Sequence, residues 1–288
     1  MDIHYNIAGF QILITDSEAT AVRRIPGFES FEVGTRHPAF KIRLMSEAAA
    51  AIASQTASLL LYTLETEEII SRLERLVDGS LRLTLTSTEG GEPLLLHHRS
   101  GSDECLVAGS TKIHLLRFAL WTAFGLLTAG QAIAIHASTI VCEDRAVAFL
   151  GESGTGKSTH TRLWQQYISG STLLNDDSPI LRMNGSTPMI YGSPWSGKTP
   201  CYRAEGFPLV GIVRLRQAPH NAMRQLGAFE AIGALLPSCP PALMKEEELS
   251  RRVCDTMSQV LARVPVYHLE CLPDEAAARL SYQTVWKR

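Results

Sequence analysis

Arg145-Ala-Val-Ala-Phe-Leu150, then Gly151-Glu-Ser-Gly-Thr-Gly-Lys-Ser158, then Thr159-His-Thr-Arg-Leu-Trp-Gln-Gln-Tyr167 reads as a buried strand, a glycine-rich loop and a helix in direct succession. The middle stretch is a complete G-x-x-x-x-G-K-[ST] phosphate-binding pattern. Its glycines let the backbone wrap a phosphate closely, successive N–H groups point inward, and the start of the helix adds a favourable dipole. Lys157 is expected to reach the β- and γ-phosphates of a nucleotide, and the Ser158 hydroxyl to join a Mg²⁺ shell. Gly151, Glu152, Ser153, Gly154, Thr155, Gly156, Lys157, Ser158 and Thr159 are thus the expected nucleotide-binding stretch. The alternative is a glycine-rich turn with a solvated lysine, which the strand before and the helix after disfavour.

The bulk properties fit a soluble cytoplasmic protein. The 288 residues suggest one large or two modest domains. With 27 basic and 29 acidic residues, no global field argues for nucleic acid or an anionic membrane. The six cysteines are scattered without a C-x-x-C pair, which reads as reduced thiols rather than a zinc site. The opening Met1-Asp-Ile-His-Tyr-Asn6 lacks the basic and apolar regions of a secretion signal. The apolar stretch Phe118–Ile135 approaches the length of a membrane span. Gly125, Thr128, Gly130 and Gln131 interrupt it, so a buried helix over about 112–129 and a strand over about 132–136 are expected instead.

Residues 1–108 read as a smaller α+β N-terminal domain with a mostly antiparallel sheet, and 109–288 as the α/β domain that carries the loop. Strand-like runs recur at Tyr5–Thr15, Phe40–Met45, Ser58–Tyr62, Leu81–Ser87 and Leu94–His98, with a helix expected over 65–77. His97-His98 is a possible metal pair, but adjacent strand residues point to opposite faces, so a solvated strand end is the better reading. Downstream, strands are expected near 172–176, 180–183, 188–191, 209–216 and 264–271, and helices near 226–236, 245–263 and 274–286.

Two features narrow the chemistry. Leu173-Leu-Asn-Asp-Asp177 is an apolar strand ending in two carboxylates, about twenty residues past Lys157. A carboxylate there is the usual second contact to Mg²⁺, and a second could accept a proton from an attacking hydroxyl. An Asx turn before Pro179 would suit Asn175, Asp176 and Asp177 as well. Ile135-His-Ala-Ser-Thr-Ile-Val141 puts His136 at a strand end one hairpin before the loop. If Glu143-Asp-Arg145 is the turn, His136 returns to the loop's end of the sheet, where it could bond a γ-phosphate or tune an aspartate. A histidine packed against backbone is the plainer alternative.

His136, a short hairpin, Gly151–Ser158 and Asp176-Asp177 follow an order that resembles the catalytic domain of HPr kinase/phosphorylase. That fold is in turn similar to ATP-dependent phosphoenolpyruvate carboxykinase in its nucleotide site. The resemblance implies an α/β P-loop kinase domain that binds ATP and Mg²⁺, with Lys157 and Ser158 on phosphate and metal. It implies a catalytic aspartate acting as base toward a protein serine, one of Asp176 and Asp177 with Asp176 the first choice, and the other beside Ser158 at the metal. Tyr191-Gly-Ser-Pro-Trp-Ser-Gly-Lys-Thr-Pro200 resembles the G-[ST]-P-W-x-G-K segment of HPr-kinase-like proteins found with peptide-modification systems. It would bring Lys198 to the transferring phosphoryl group; the alternative is a surface loop with Trp195 packed beneath. Tyr5-Asn-Ile-Ala-Gly-Phe-Gln-Ile12 is similar to the N-terminal domain of the same group.

The glycine- and arginine-rich signature of the bifunctional enzyme is absent, so a one-way kinase acting on a protein or peptide serine is expected. Some members of the family form hexamers, which leaves a homo-oligomer open. The catalytic set would serve a small-molecule kinase equally, and a nucleotide-sensing module without turnover is the non-enzymatic alternative. Neither Arg162 nor Arg203 can be given a role from sequence.

Overall fold

The structure, a computed structural model, describes residues 2–16, 21–45, 48–197 and 199–286. The chain divides into two compact units, Met1–Ala129 with Ala242–Ser250, and Gly130–Pro241 with Arg251–Arg288. The first holds β1 (Asp2–Ile7), β2 (Phe10–Asp16), β3 (Glu32–Val33), β4 (Phe40–Leu44), α1 (Ala49–Ala53), β5 (Ala57–Glu65), β6 (Ile69–Leu76), β7 (Leu81–Ser87), β8 (Leu94–His98), β9 (Glu104–Gly109) and α2 (Ile113–Thr128). The nine strands form one sheet in the order β3-β1-β2-β4-β9-β8-β7-β6-β5. Among the described residues, only the β2–β4 and β4–β9 pairings of this sheet are parallel.

Alternation builds this sheet. Leu81, Leu83 and Leu85 of β7 are buried and Arg82, Thr84 and Thr86 are not, the period of two of a strand with one buried face. The expected run Tyr5–Thr15 breaks at Ala8-Gly9, whose φ values of 52° and 83° make a two-residue hairpin turn. Three further expectations fail here. Residues 65–77 form the end of β5 and β6 rather than a helix. The apolar positions of this segment fit either period, and pairing with β5 and β7 decides between them. The helix expected to open the second domain is α2, which packs on β4, β7, β8 and β9 and so belongs to the first unit. The His97-His98 pair is no solvated end: His97 Nε2 meets Ser80 Oγ at 2.9 Å, and His98 is buried with Nδ1 3.2 Å from the Glu104 carbonyl oxygen. Among the described residues no helix is long and apolar enough to cross a membrane.

The second unit holds β10 (Ala132–Ala134), β11 (Ala137–Cys142), β12 (Arg145–Leu150), α3 (Lys157–Tyr167), β13 (Thr172–Asp177), β14 (Ile180–Asn184), β15 (Thr187–Tyr191), β16 (Gly206–Gln217), β17 (Ala222–Gln225) and α4 (Ala228–Leu235). After α5 (Glu247–Leu261), which runs across the division between the units, come β18 (Val266–Cys271) and α6 (Glu275–Trp286). Its sheet runs β10-β14-β15-β16-β12-β11-β13, with β18 on the far half of β16 and β17 on β18. β12, β16 and β18 are parallel neighbours, and the other pairings are antiparallel. The result is a mixed α/β architecture with large sheets.

The β11–β12 hairpin is fully buried along β11 and closes through Glu143 and Asp144. Both have positive φ, 48° and 56°, as a two-residue turn of this hand requires. Pairing of Ala137 with Leu150 therefore puts His136 at the end of β12 where the glycine loop begins.

The core between sheet and helices contains Phe149, Trp164, Val213, Tyr267, Leu269 and Trp286. One polar knot is sealed inside it. Ser281 Oγ accepts from Trp164 Nε1 at 2.8 Å, meets His160 Nε2 at 2.9 Å and donates to the Ala278 carbonyl at 3.0 Å. With its one proton committed to Ala278, the serine can only accept from His160, which fixes the neutral Nε2–H tautomer. Burial pushes the His160 pKa down to about 4, from 6.5 in an exposed chain. The unfolded chain therefore binds the extra proton first, and stability is lost as pH falls from about 6.5 toward about 4. Denaturant unfolding at pH 5 should show this unit about 2 kcal/mol less stable than at pH 7. The His160→Gln variant should lose most of that difference; an unchanged pH slope in it would refute the assignment.

Candidate active site

The loop between β12 and α3 takes its shape from glycines at three sites. Gly154 and Gly156 have φ of 82° and 100°, and a Cβ at Gly151 would sit 2.4 Å from Thr155 Oγ1. Thr155 in turn donates its hydroxyl to the Glu152 carbonyl at 2.8 Å, closing the loop on itself. Two residues of β16 hold it from the side. Gln217 Nε2 donates to the Gly154 carbonyl at 3.1 Å, and Arg214 pairs with the Glu152 carboxylate at 3.2 Å. Sequence reading missed both; the available signal was a pair of polar side chains at the end of an apolar strand.

Lys157, the first residue of α3, turns its ammonium back over the loop. It donates to the carbonyls of Gly151 and Glu152 at 2.8 and 3.1 Å and lies 2.9 Å from His136 Nε2. Burial lowers its pKa, opposed by the nearby carboxylates of Asp177, Asp176 and Glu152. On the other side of the imidazole, His136 Nδ1 is 3.0 Å from Asp177 Oδ1. A lysine donating to Nε2 leaves Nδ1 as the protonated nitrogen of a neutral ring, so Lys157, His136 and Asp177 form one directed chain.

Asp176 belongs to a second pair: the Ser158 hydroxyl donates to its Oδ1 at 3.0 Å. The two carboxylates therefore face different partners, although they are adjacent in sequence. Asp177 achieves this with φ of 129°, a strained value for a residue with a side chain.

Asn175 takes the turn role that all three residues of Asn175-Asp-Asp177 could have filled. Its Oδ1 accepts from the Ser178 backbone N–H at 2.9 Å. Its amide reaches the carbonyls of Ser193 and Trp195 at 3.3 and 3.1 Å. Ser193 and Ser196, both buried, stitch the rest of the segment to Ser178 and Asp176. Residues 192–196 are therefore interior, with Trp195 packed away, and Gly197 lies so close to the acidic strand end that a Cβ would meet Asp177 Cβ at 3.1 Å. Lys198 lies outside the described residues. Arg162 bonds the Ser158 carbonyl of its own helix, and Arg203 bonds Glu205, Thr172 and the Leu173 carbonyl.

Beside the loop opens a cleft of about 680 Å³. Leu163, Leu215, Ala218 and Leu272 give it apolar walls, and Thr155, Thr159 and Gln217 add polar groups. Its size and mixed lining suit a small organic ligand reaching the loop.

No protein-family model and no curated protein matches the chain. Among solved structures it is similar to the Hpr(Ser) kinase/phosphatase from Coxiella burnetii, at 14% identity and a TM-score of 0.33, over 55% of this chain and 88% of that chain.

Asn175→Ala should strip the Ser178 N–H and the Ser193 and Trp195 carbonyls of their partner. A loss of about 2–4 kcal/mol is expected by thermal or denaturant unfolding. A variant as stable as the parent would show that the 192–196 stretch is held by other contacts.

Proposed function

We propose that the chain is an ATP- and Mg²⁺-dependent kinase that transfers the γ-phosphoryl group to a hydroxyl, that of a serine in a protein or peptide. The observation that carries this reading is the directed chain Lys157–His136–Asp177 set beside the Ser158–Asp176 pair at one loop. A nucleotide-binding module needs the loop but has no use for a carboxylate aimed by a histidine.

The backbone N–H groups of Gly151–Ser158 and the start of α3 would cradle the phosphates. Lys157 would exchange its loop carbonyls for β- and γ-phosphate oxygens, which suits an ammonium already partly desolvated. The Ser158 hydroxyl and Asp176 carboxylate are hard oxygen donors of the kind Mg²⁺ takes. Among the described residues no group of three or more His, Cys, Asp or Glu side chains could hold a metal by itself. Phosphate and water would supply the remaining ligands. When bound there, the ion neutralises charge on the β- and γ-phosphates. The cleft lined by Leu163, Leu215 and Leu272 would take the nucleoside end.

Asp177 is the base in this reading. Its carboxylate takes the proton of the acceptor hydroxyl as the new O–P bond forms, the bond from the γ-phosphorus to its bridging oxygen breaks and ADP departs. His136 Nδ1–H aims that carboxylate, so His136 is a positioning residue. This reading reverses the first-choice assignment of the two aspartates, and the Ser158–Asp176 and His136–Asp177 contacts support it.

Transfer of labelled γ-phosphate from Mg·ATP to serine peptides and to free serine tests the proposal. Asp177→Asn should lower transfer by about 10²–10⁴-fold with nucleotide affinity retained. Asp176→Asn should raise the Mg²⁺ concentration needed for half-maximal rate. Firm ATP binding by the parent chain with no transfer to any acceptor would sink the kinase reading and leave a nucleotide sensor.

A further inference from the structure

The short helix α4 is apolar on both sides. Ala231, Ala234 and Leu235 are buried against the unit, while Phe229, Ile232 and Leu236 are 92%, 40% and 37% exposed. Phe229, Ile232 and Gly233 share one face of α4, the 3-10 turn that follows adds Leu236 and Pro237, and none of the five is charged. Of the helix's own residues only Glu230, paired with Arg224, is charged, and an exposed apolar face of this extent marks a contact site.

Gly233, at the centre of the outward face, sharpens the point. A Cβ built there has no atom within 4 Å. Glycine within a helix costs about 1 kcal/mol relative to alanine, and no neighbour in the chain requires it. It leaves a shallow notch on the apolar face, where another backbone or side chain can approach closely.

The C-terminal end of this helix is tied to the reacting centre. Arg214 donates to the Ala234 carbonyl at 3.0 Å with one nitrogen while the other holds Glu152 of the loop. The His136 backbone N–H donates to the Ser238 carbonyl at 2.7 Å, in the turn that ends the same face. From Ser238 back to Phe229 is about 14 Å along the helix, a span that about four or five extended residues cover.

We propose that this face seats the residues flanking the acceptor hydroxyl, making the acceptor a polypeptide with apolar side chains about four to six residues from its serine. The proposal rests on the kinase reading above and narrows its acceptor. A free amino acid or sugar would leave the face uncovered. The three exposed side chains amount to on the order of 300 Å², short of the roughly 800 Å² per partner of a stable dimer. That area is enough for a short peptide segment.

The test uses a degenerate peptide library with a fixed central serine and randomised flanks, phosphorylated with Mg·ATP, the products being sequenced. Leu, Ile, Phe and Met should be enriched at one offset from the serine. Phe229→Ala/Ile232→Ala, and separately Gly233→Gln, should erase that enrichment and raise KM for a selected peptide about tenfold, with kcat and the KM for ATP within about twofold. Gly233→Gln keeps the helix and fills only the notch, which guards against mere misfolding. Phosphorylation without apolar enrichment, or enrichment that survives both variants, overturns the proposal and leaves the kinase standing. So does transfer confined to free serine, or a change in sedimentation coefficient with peptide KM unaltered, which would make the occupant a second copy of the chain. Absence of transfer to every acceptor removes the kinase reading and this inference with it.

Discussion

β11 is paired along both of its edges, with β12 on one side and β13 on the other, and this double clamp sets the candidate active site. One ladder matches Ala137 with Leu150 and delivers His136 to the start of the glycine loop; the other matches Ala137 with Asp177 and Ser138 with Asp176. A slip of one residue in either ladder would turn every side chain of the strand to the opposite face. Burial along both faces of β11 makes such a slip expensive, so the register of an apolar hairpin positions the chemistry. The Ser138–Thr161 hydroxyl contact, 3.2 Å and buried, fixes α3 to the same strand.

Several groups at the site sit where a stability optimum would not place them. Asp176 is 5% exposed, Lys157 is partly desolvated, and Asp177 holds a backbone angle that side chains rarely adopt. Arrangements of this kind persist only when the surroundings over-determine them. The surroundings here are the Asn175–Ser193–Ser196 network below the acidic strand end and the Arg214–Gln217 pair beside the loop. Their side chains hold the carbonyls and turns on which the residues of the candidate site stand.

The strand, loop and helix from Arg145 to Tyr167 were legible in the sequence because the glycines, the buried run and the polar helix start all agree locally. His136 and the acidic pair were legible through spacing alone, given a two-residue turn at Glu143-Asp144. What escaped was non-local. The 65–77 segment satisfies a helical period and becomes a strand because β5 and β7 flank it. α2 leaves the domain it precedes in sequence because its apolar surface fits the first sheet. Arg214 and Gln217 carry no motif, and only the parallel pairing of β16 with β12 brings them to the loop. The bonding of each aspartate depends on one backbone angle, which composition does not reveal.

That angle explains how two adjacent carboxylates come to different tasks. In a regular strand, neighbouring side chains point to opposite faces, so Asp176 and Asp177 could not both serve one centre. β13 ends at Asp177, where the positive φ and an isolated bridge to Ser196 bend the chain. Asp176 keeps the strand direction and meets Ser158, while Asp177 turns back over the strand end to His136. The close approach of Gly197 to Asp177 makes room for the bend, since a larger residue would press on the Asp177 side chain. The local chain reversal thus separates a carboxylate that meets a hydroxyl from one that meets an imidazole across a single peptide unit, and the segment carrying Gly197 is held in place by the same Asn175 that caps the turn.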